Sequence, residues 1–478
     1  MKRSVQAFEE YSSLPAGVKA KFLRDIAAAI EKLGDSLIKT VNEETNLPEG
    51  RLAGERARTC NQLRMFADIL DEGSWVEAVI DTALPDREPI PRPDLRRMLV
   101  PYGPVVVFGA SNFPLAFSTA GGDTASALAS GSPVILKGHP AHPRTSGMVA
   151  EAIYGVIKDM GLPEGVFQHV EGGADTGQEL ISHPSVKAVA FTGSFQGGMA
   201  IFKTAMARPE PIPVFLEMGS VNPMFVLPGK IKEEAREQAV LIAKSVLLGA
   251  GQFCTSPGLV FVPDSDNTET FLEAMAKTFN EAGEEKMLHK GIVSGYYDAL
   301  ESTLKVKGVD QIVRKTGSEY TGAPTIGVTS LENWLDRPEL QNEVFGPFTL
   351  VVRYKDQNDL LKAAKALRGQ LTCSLIGNDS DLKESRELAT LLSEKSGRLI
   401  FNGVPTGVEV SYAMTHGGPF PATTDSRNTS VGAWAIKRFV RPVTFQSAPA
   451  ALLPEALKSS NPLGIMRVVN GKHTDKEI

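Results

Sequence analysis

The sequence predicts an α/β protein in which two lobes each cover a parallel sheet with helices and a strand-rich arm is appended. Three observations predict it. A chain of 478 residues is longer than one hydrophobic core fills, so two large lobes follow. From Pro104 onward, short apolar runs alternate with amphipathic stretches, the pattern of strands buried on both faces by crossover helices. A proline-dense stretch near residue 90 and a strand-like tail fall outside that alternation.

Phe22, Ile26, Ile30 and Leu33 recur at the spacing that lays one apolar stripe along a helix, and a second helix follows Asp35. Segment 83–94 holds Pro85, Pro89, Pro91 and Pro93, which exclude helix and central strand and leave an exposed extended arm. Runs 105–108, 134–136, 166–167, 186–191 and 214–216 read as parallel strands, with helices such as 146–159 and 174–181 between them. A long helix over 233–248 leads into a second alternation over 259–401, hence a second α/β lobe. Segment 438–445 reads as a strand suited to pairing with something outside the lobes. Sheets of this kind bind ligands at the carboxyl ends of their strands.

Composition narrows the class further. Hydrophobic residues at 42% and charged residues at 22% are those of a globular protein, and a net charge of -6 lacks the basic excess that nucleic acid demands. No apolar run reaches the roughly 20 residues that cross a bilayer, and the amino terminus has no apolar signal core, so neither membrane nor secretion is expected and cytoplasm is the default. Cys60, Cys254 and Cys373 are too scattered for a disulfide framework or a zinc site, so no metal is expected.

Three segments carry chemistry. Gly249-Ala250-Gly251-Gln252-Phe253-Cys254-Thr255-Ser256 sets a cysteine among small residues after a long helix, where substrate and backbone can approach a thiol closely. Alone, it reads first as a buried cysteine at a helix-to-strand turn. Phe215-Leu216-Glu217-Met218-Gly219 puts a carboxylate at the end of a buried strand, either a general base at the crevice or a salt-bridged surface group. Ser111-Asn112-Phe113-Pro114 offers an amide donor for a developing oxyanion, or an ordinary turn asparagine.

In order, Ser-Asn-Phe-Pro, Phe-Thr-Gly-Ser, Leu-Glu-Met-Gly-Ser, Gly-Gln-Phe-Cys and Glu-Val-Phe-Gly-Pro resemble the aldehyde dehydrogenase superfamily over nearly the whole chain. Each motif is weak alone; five in sequence are specific. The resemblance implies a Rossmann-type cofactor domain over 1–78 and 98–219, a catalytic domain over 220–430, and an oligomerisation arm and tail over 79–97 and 431–478. It implies Cys254 as nucleophile, Glu217 as general base, and Asn112 with the N–H of Cys254 as oxyanion hole. Hydrolysis of the resulting thioester calls for a base whose proton affinity burial has raised. The resemblance also implies that Lys137 bonds the adenosine ribose, that Gly193, Ser194 and Gly198 hold pyrophosphate at a helix start, and that Glu343 grips the nicotinamide ribose beside Phe345. The family assembles as homodimers or homotetramers through such an arm.

Two departures qualify it. Three positions after its lysine the family carries a carboxylate that repels a 2′-phosphate; here Pro140 stands there, so NADP⁺ is the expected cofactor, with NAD⁺ also admitted. His139 and His142 are candidates to assist the phosphate, or are plain loop histidines. The family also has a further strand-bearing segment before the first helices, so part of the cofactor lobe is expected to be missing or differently capped.

Within the superfamily, segments 137–143 and 416–423 look most like the group oxidising 2-oxoglutarate semialdehyde (2,5-dioxopentanoate), followed by the long-chain fatty aldehyde group. In the latter a histidine matching His416 assists the thiol, which gives His416 an active-site role unless it is a loop residue among glycines. A substrate bearing a carboxylate needs a cation in its tunnel, and Arg56 and Arg58 are the candidates. Two other readings stay open: a fatty or other aliphatic aldehyde as substrate, and a non-catalytic relative that kept the fold.

Overall fold

The computed structural model describes residues 1–315 and 317–478. Four helices open the chain: α1 (Lys2–Tyr11), α2 (Ala16–Lys32), α3 (Gly34–Thr45) and α4 (Glu49–Glu72). The predicted stripe is there, with Phe22, Ile26 and Ile30 buried in one core with Leu63, Phe66 and Leu70 of α4. Pro15 and Pro48 stand at the starts of α2 and α4, and Gly73 ends α4 in the left-handed conformation at φ 81.

Strands β1 (Val79–Asp81) and β2 (Leu95–Pro101) leave the lobe for a separate small sheet, and the first parallel sheet follows. Its elements are β3 (Val105–Phe108), α5 (Gly122–Ser130), β4 (Val134–Lys137), α6 (Pro143–Asp159), β5 (Phe167–Val170), α7 (Ala174–Ser182), β6 (Ala188–Thr192), α8 (Phe195–Met206) and β7 (Val214–Glu217). The order is β5-β4-β3-β6-β7, parallel throughout. The chain winds one way from β3 to β5 and then returns to the other side of β3, so the winding reverses at β3 and opens a crevice at the carboxyl edge. Phe108, Lys137, Thr192 and Glu217 close their strands on that edge. The expected strand at 166–167 begins at Phe167, because residues Glu164–Val166 form a single tight helical turn.

The second sheet contains β8 (Met224–Val226), β9 (Leu259–Pro263), β10 (Asp310–Arg314), β11 (Thr325–Ser330), β12 (Phe348–Tyr354), β13 (Gln370–Ile376) and β14 (Ser396–Phe401). Its order is β10-β11-β12-β9-β8-β13-β14, with β10 as the antiparallel edge. The segment α9 (Pro228–Leu247) is broken by a kink at Glu234, φ -138, so the long helix expected over 233–248 is preceded by a short helical turn that starts at Pro228. Proline suits the first turn of a helix, and Asp381 accepts the N–H groups of Gly229 and Lys230.

Strands β15 (Val440–Gln446), β16 (Arg467–Val469) and β17 (Lys472–Thr474) join β1 and β2 in the order β15-β2-β1-β16-β17. Segment 83–94 is largely exposed, as its prolines require, but the arm is not coreless: Ile80, Leu457 and Ile465 bury a small cluster of their own. The tail strand finds its partner in β2 of the same chain. Arg438, expected in that strand, instead lies in a 3-10 turn, where its buried guanidinium sits 2.7 Å from Asp123. Among the described residues no helix is long and apolar enough to cross a membrane.

Candidate active site

The thiol is carried on a strained turn. After α9, Gly249, Ala250 and Gly251 hold φ values of 59, 54 and 67, a left-handed run that includes one non-glycine residue. Gly251 has no room for a side chain, because a Cβ there would lie 2.1 Å from the carbonyl oxygen of Gly346. The cysteine turn and the Glu343-Val344-Phe345-Gly346-Pro347 segment therefore press together. Asn222 fixes the turn from below, its Nδ2 donating to the carbonyls of Cys254 at 2.8 Å and Ser256 at 3.0 Å. Sequence reasoning missed Asn222; the only signal was an asparagine before Pro223 at a strand entry.

Cys254 Sγ lies 3.4 Å from Nε2 of His416, and that nitrogen lies 3.0 Å from Oε1 of Glu217. Both partner side chains are almost wholly buried. Ser430 donates its hydroxyl to Oε2 of Glu217 at 2.5 Å, while Oε1 has no aligned donor and stays open towards the thiol. Thr429 and Ser430 also fix the histidine: Thr429 Oγ1 accepts its N–H and Ser430 N–H donates to its carbonyl. His416, left between two readings by the sequence, belongs to the site. Ser430 had no sequence signal, being one hydroxyl in an unremarked loop. Among the described residues, Glu217, Cys254 and His416 form the one group whose ligand-type atoms all lie within 4.8 Å of one another, so a proton or a thiophilic cation can be shared there.

The electrostatics correct one expectation. Burial, then the charge of Glu217, push the Cys254 thiol well above its ordinary value, with Arg58 pulling the other way. Burial alone would raise Glu217 too. His416 and the hydroxyl of Ser430 outweigh it, so this carboxyl lies below its ordinary value rather than above. Glu217 is thus a carboxylate whose ionised form is favoured by its partners, not a carboxyl raised by desolvation.

Asn112 reaches the same turn from the first lobe, its Nδ2 donating to the carbonyl of Gln252 at 3.1 Å. The N–H of Cys254 has no acceptor among the described residues. One face of α4 holds the asparagine loop: Arg51 donates to the carbonyl of Asn112 at 2.8 Å, and Glu55 Oε1 accepts the N–H groups of Leu115 and Ala116 at 2.8 and 3.0 Å. Neither residue was anticipated, because charges on a helix read as solvated. Of the two candidate cations, Arg56 turns away to the carbonyl of Gly34. Arg58 stacks 5.9 Å over the Phe117 ring, itself 6.4 Å from the His416 ring, and donates to the carbonyl of Val408.

At the crevice edge of the first sheet, Ser194 caps α8 by accepting the N–H of Gly197, and the start of that helix is exposed. Gly193 and Gly198 are demanded by packing as much as by a ligand: Cβ atoms there would lie 2.5 Å from the Phe191 ring and 2.6 Å from Met218. Lys137 ends β4 beside a cavity of about 220 Å³ bordered by His139, Pro140, Ser146, His169 and Glu171. An open helix start and a lysine on one parallel-sheet edge fit a dinucleotide's phosphates and ribose. His139 does not supply charge, since burial together with His142, His289 and Lys137 takes its pKa down to about 3. His142 is fully buried and contacts the carbonyl of Ala110 at 2.8 Å, so it supports the loop rather than a phosphate. Glu343 and Phe345 border a narrow cavity with Ser220 and Gly251, and burial raises the Glu343 carboxyl to about 7 against the N–H of Ser220.

A doubly wound lobe facing a thiol, an imidazole and a carboxylate defines an enzyme that works through a nucleophilic cysteine. The aldehyde dehydrogenase family model matches residues 1–441, and the chain belongs to that family, as an oxidoreductase acting on aldehydes. It is 45% identical over 469 residues to the alpha-ketoglutaric semialdehyde dehydrogenase of Acinetobacter baylyi, covering 98% of this chain and 89% of that one. It is 47% identical over 471 residues, with the same coverage, to alpha-ketoglutaric semialdehyde dehydrogenase 2 of Azospirillum brasilense. The fold is also that of the glyceraldehyde-3-phosphate dehydrogenase GapN of Methanocaldococcus jannaschii, solved with NADP, at a TM-score of 0.77, 20% identity, and coverage of 93% and 92% of the two chains.

Proposed function

We propose that this enzyme oxidises 2,5-dioxopentanoate to 2-oxoglutarate, taking NADP⁺ as cofactor and also turning over NAD⁺. The observation that carries the chemistry is the contact chain from Cys254 through His416 to Glu217, at 3.4 and 3.0 Å. The substrate follows from the two relatives near half identity, whose names specify it.

In this reading the raised thiol is deprotonated as it attacks, its proton passing to His416 or to the open oxygen of Glu217. The sulfur bonds to the aldehyde carbon, and the oxyanion takes hydrogen bonds from Asn112 Nδ2 and the free N–H of Cys254. The bound nicotinamide ring supplies the hydride acceptor. Collapse of the adduct leaves a thioester on Cys254. Glu217 then takes a proton from the water that cleaves it, and Ser430 holds the carboxylate's other oxygen so that Oε1 faces the water.

Lys137, Gly193, Ser194 and Gly198 would hold the adenosine ribose and pyrophosphate, and Glu343 with Phe345 beside it would hold the nicotinamide ribose; His139 would offer at most a neutral hydrogen bond. Pro140 removes a repelling carboxylate, but the cavity also brings no guanidinium and has Glu171 on its rim, so discrimination between the two cofactors is small. The arm sheet, with β15 at its edge, carries the subunit contacts of a dimer or tetramer. The test compares kcat/KM for 2,5-dioxopentanoate, glutaraldehyde, hexanal and dodecanal with each cofactor. A lead of the dicarbonyl acid supports the reading; a tenfold lead for dodecanal overturns it.

A further inference from the structure

Two arginines from opposite lobes meet one loop beside the thiol. Arg58, on α4, donates to the carbonyl of Val408. Arg398, on β14, donates through Nη1 to the carbonyl of Gly407 at 3.0 Å and through Nη2 to that of Pro405 at 2.6 Å. Both are half-buried, and the Nε of each is buried without a partner. Neither forms an ion pair among the described residues. Glu55, which shares the face of α4 with Arg58, has committed its Oε1 to the N–H groups of Leu115 and Ala116. Every acceptor these guanidiniums do have is a neutral main-chain carbonyl. Burial pulls both below the ordinary arginine value; Glu55, Cys254 and Glu409 act on Arg58 through space without bonding to it, and Cys254 alone acts on Arg398.

Partly desolvated guanidiniums that bond no carboxylate, one of them with no carboxylate acting on it at all, are costly, and a fold that keeps two of them near Cys254 leaves room for an anion. We propose that Arg58 and Arg398 form the subsite that binds the substrate's carboxylate, so that a short aldehyde acid is held with its aldehyde carbon at Cys254. This rests on the reading of the substrate given above. The planar guanidinium forks suit a carboxylate, which accepts two parallel N–H bonds. An aliphatic aldehyde of the same length would leave both charges unsatisfied, so rejection of neutral aldehydes comes from the same pair.

The experiment measures the ratio of kcat/KM for 2,5-dioxopentanoate to that for pentanal in the wild type, Arg58→Met, Arg398→Met and Arg58→Lys. Calorimetric titration with glutarate accompanies it in the Cys254→Ala background. The Met variants should lower the ratio roughly 30- to 100-fold, chiefly through KM for the acid, and weaken glutarate binding in parallel. Arg58→Lys, which keeps the charge without the fork, should recover part of both. Thermal melts identify a variant that has lost the fold, and the lysine variant then carries the test. A wild type that prefers pentanal overturns the substrate reading. A wild type that prefers the acid, with ratio and glutarate affinity unchanged in the variants, overturns the subsite instead.

Discussion

At the thiol end of the site, Glu217 has the Ser430 hydroxyl on one oxygen and the His416 imidazole 3.0 Å from the other, whereas beside it the guanidiniums of Arg58 and Arg398 bond only main-chain carbonyls of one loop. Both regions bury polar groups, yet only in the first does a carboxylate lie within hydrogen-bond reach of side chains that can share a proton with it. Protons can therefore move at the thiol end without any partner from outside, as acid–base chemistry requires. The arginine end is complete only when a ligand brings an anion. Catalytic and recognition machinery are thus separable in this molecule, and substitutions should sort by which end they touch.

The sharpest break comes from Cys254→Ala, which removes the covalent step and little volume. Turnover should fall by more than about 10⁴-fold with cofactor binding retained, as measured by NADPH formation and by fluorescence titration of NADP⁺. Substantial turnover would place the chemistry elsewhere. Glu217→Gln comes next, with steady-state kcat down roughly 10²- to 10⁴-fold. Rapid mixing should still show a burst of NADPH, because acylation outlasts the loss of the hydrolytic base better than hydrolysis does. Loss of the burst alongside normal thioester cleavage would mean that Glu217 is not the base.

His416→Asn should cost roughly 10- to 100-fold in kcat and also move its pH dependence. His416 is the main influence holding the Glu217 carboxyl down against burial, so without it that carboxyl rises. The base works ionised, so activity on the acid side should then be lost at higher pH than in the wild type. A kcat profile with an unmoved acid limb would separate the histidine from the carboxylate. The smallest effect concerns Glu343, whose carboxyl burial raises to about 7 in the free enzyme. Ribose hydroxyls need the ionised form as acceptor, so NADP⁺ should bind more tightly as pH rises through 7, by a few-fold per unit at most. Glu343→Gln should flatten that dependence; a wild-type KM for NADP⁺ indifferent to pH from 6 to 8 would remove Glu343 from the ribose.

The apolar periods of 105–108, 134–136 and 214–216 were enough to predict parallel strands, and the residues closing them, Lys137 and Glu217 among them, fell on the crevice edge where such strands end. Cys254 stood out as a candidate because small residues around a thiol are a local pattern, but only the five motifs in order lifted it above a buried cysteine at a turn. Asn222, Ser430 and Glu55 were not legible, since each acts through a partner distant in sequence: Ser430 reaches Glu217 across 213 positions, Glu55 reaches Leu115 across 60, and Asn222 reaches Cys254 across 32. Charge state was the least legible property. Burial by itself predicts a raised Glu217, which His416 and Ser430 reverse, whereas for His139 burial and the neighbouring His142, His289 and Lys137 act in the same direction and remove the cation. The arm shows the same division, its prolines predicting an extended excursion while only the pairing of β2 with β15 decides where the tail goes. Sequence alone determined the strands and their ends, because hydrophobic period acts over a few residues, and only its resemblance to a family pointed to Cys254 as the nucleophile. Only the tertiary structure decided which charges are paired and which are left open, because that depends on what packs within a few ångströms from elsewhere in the chain.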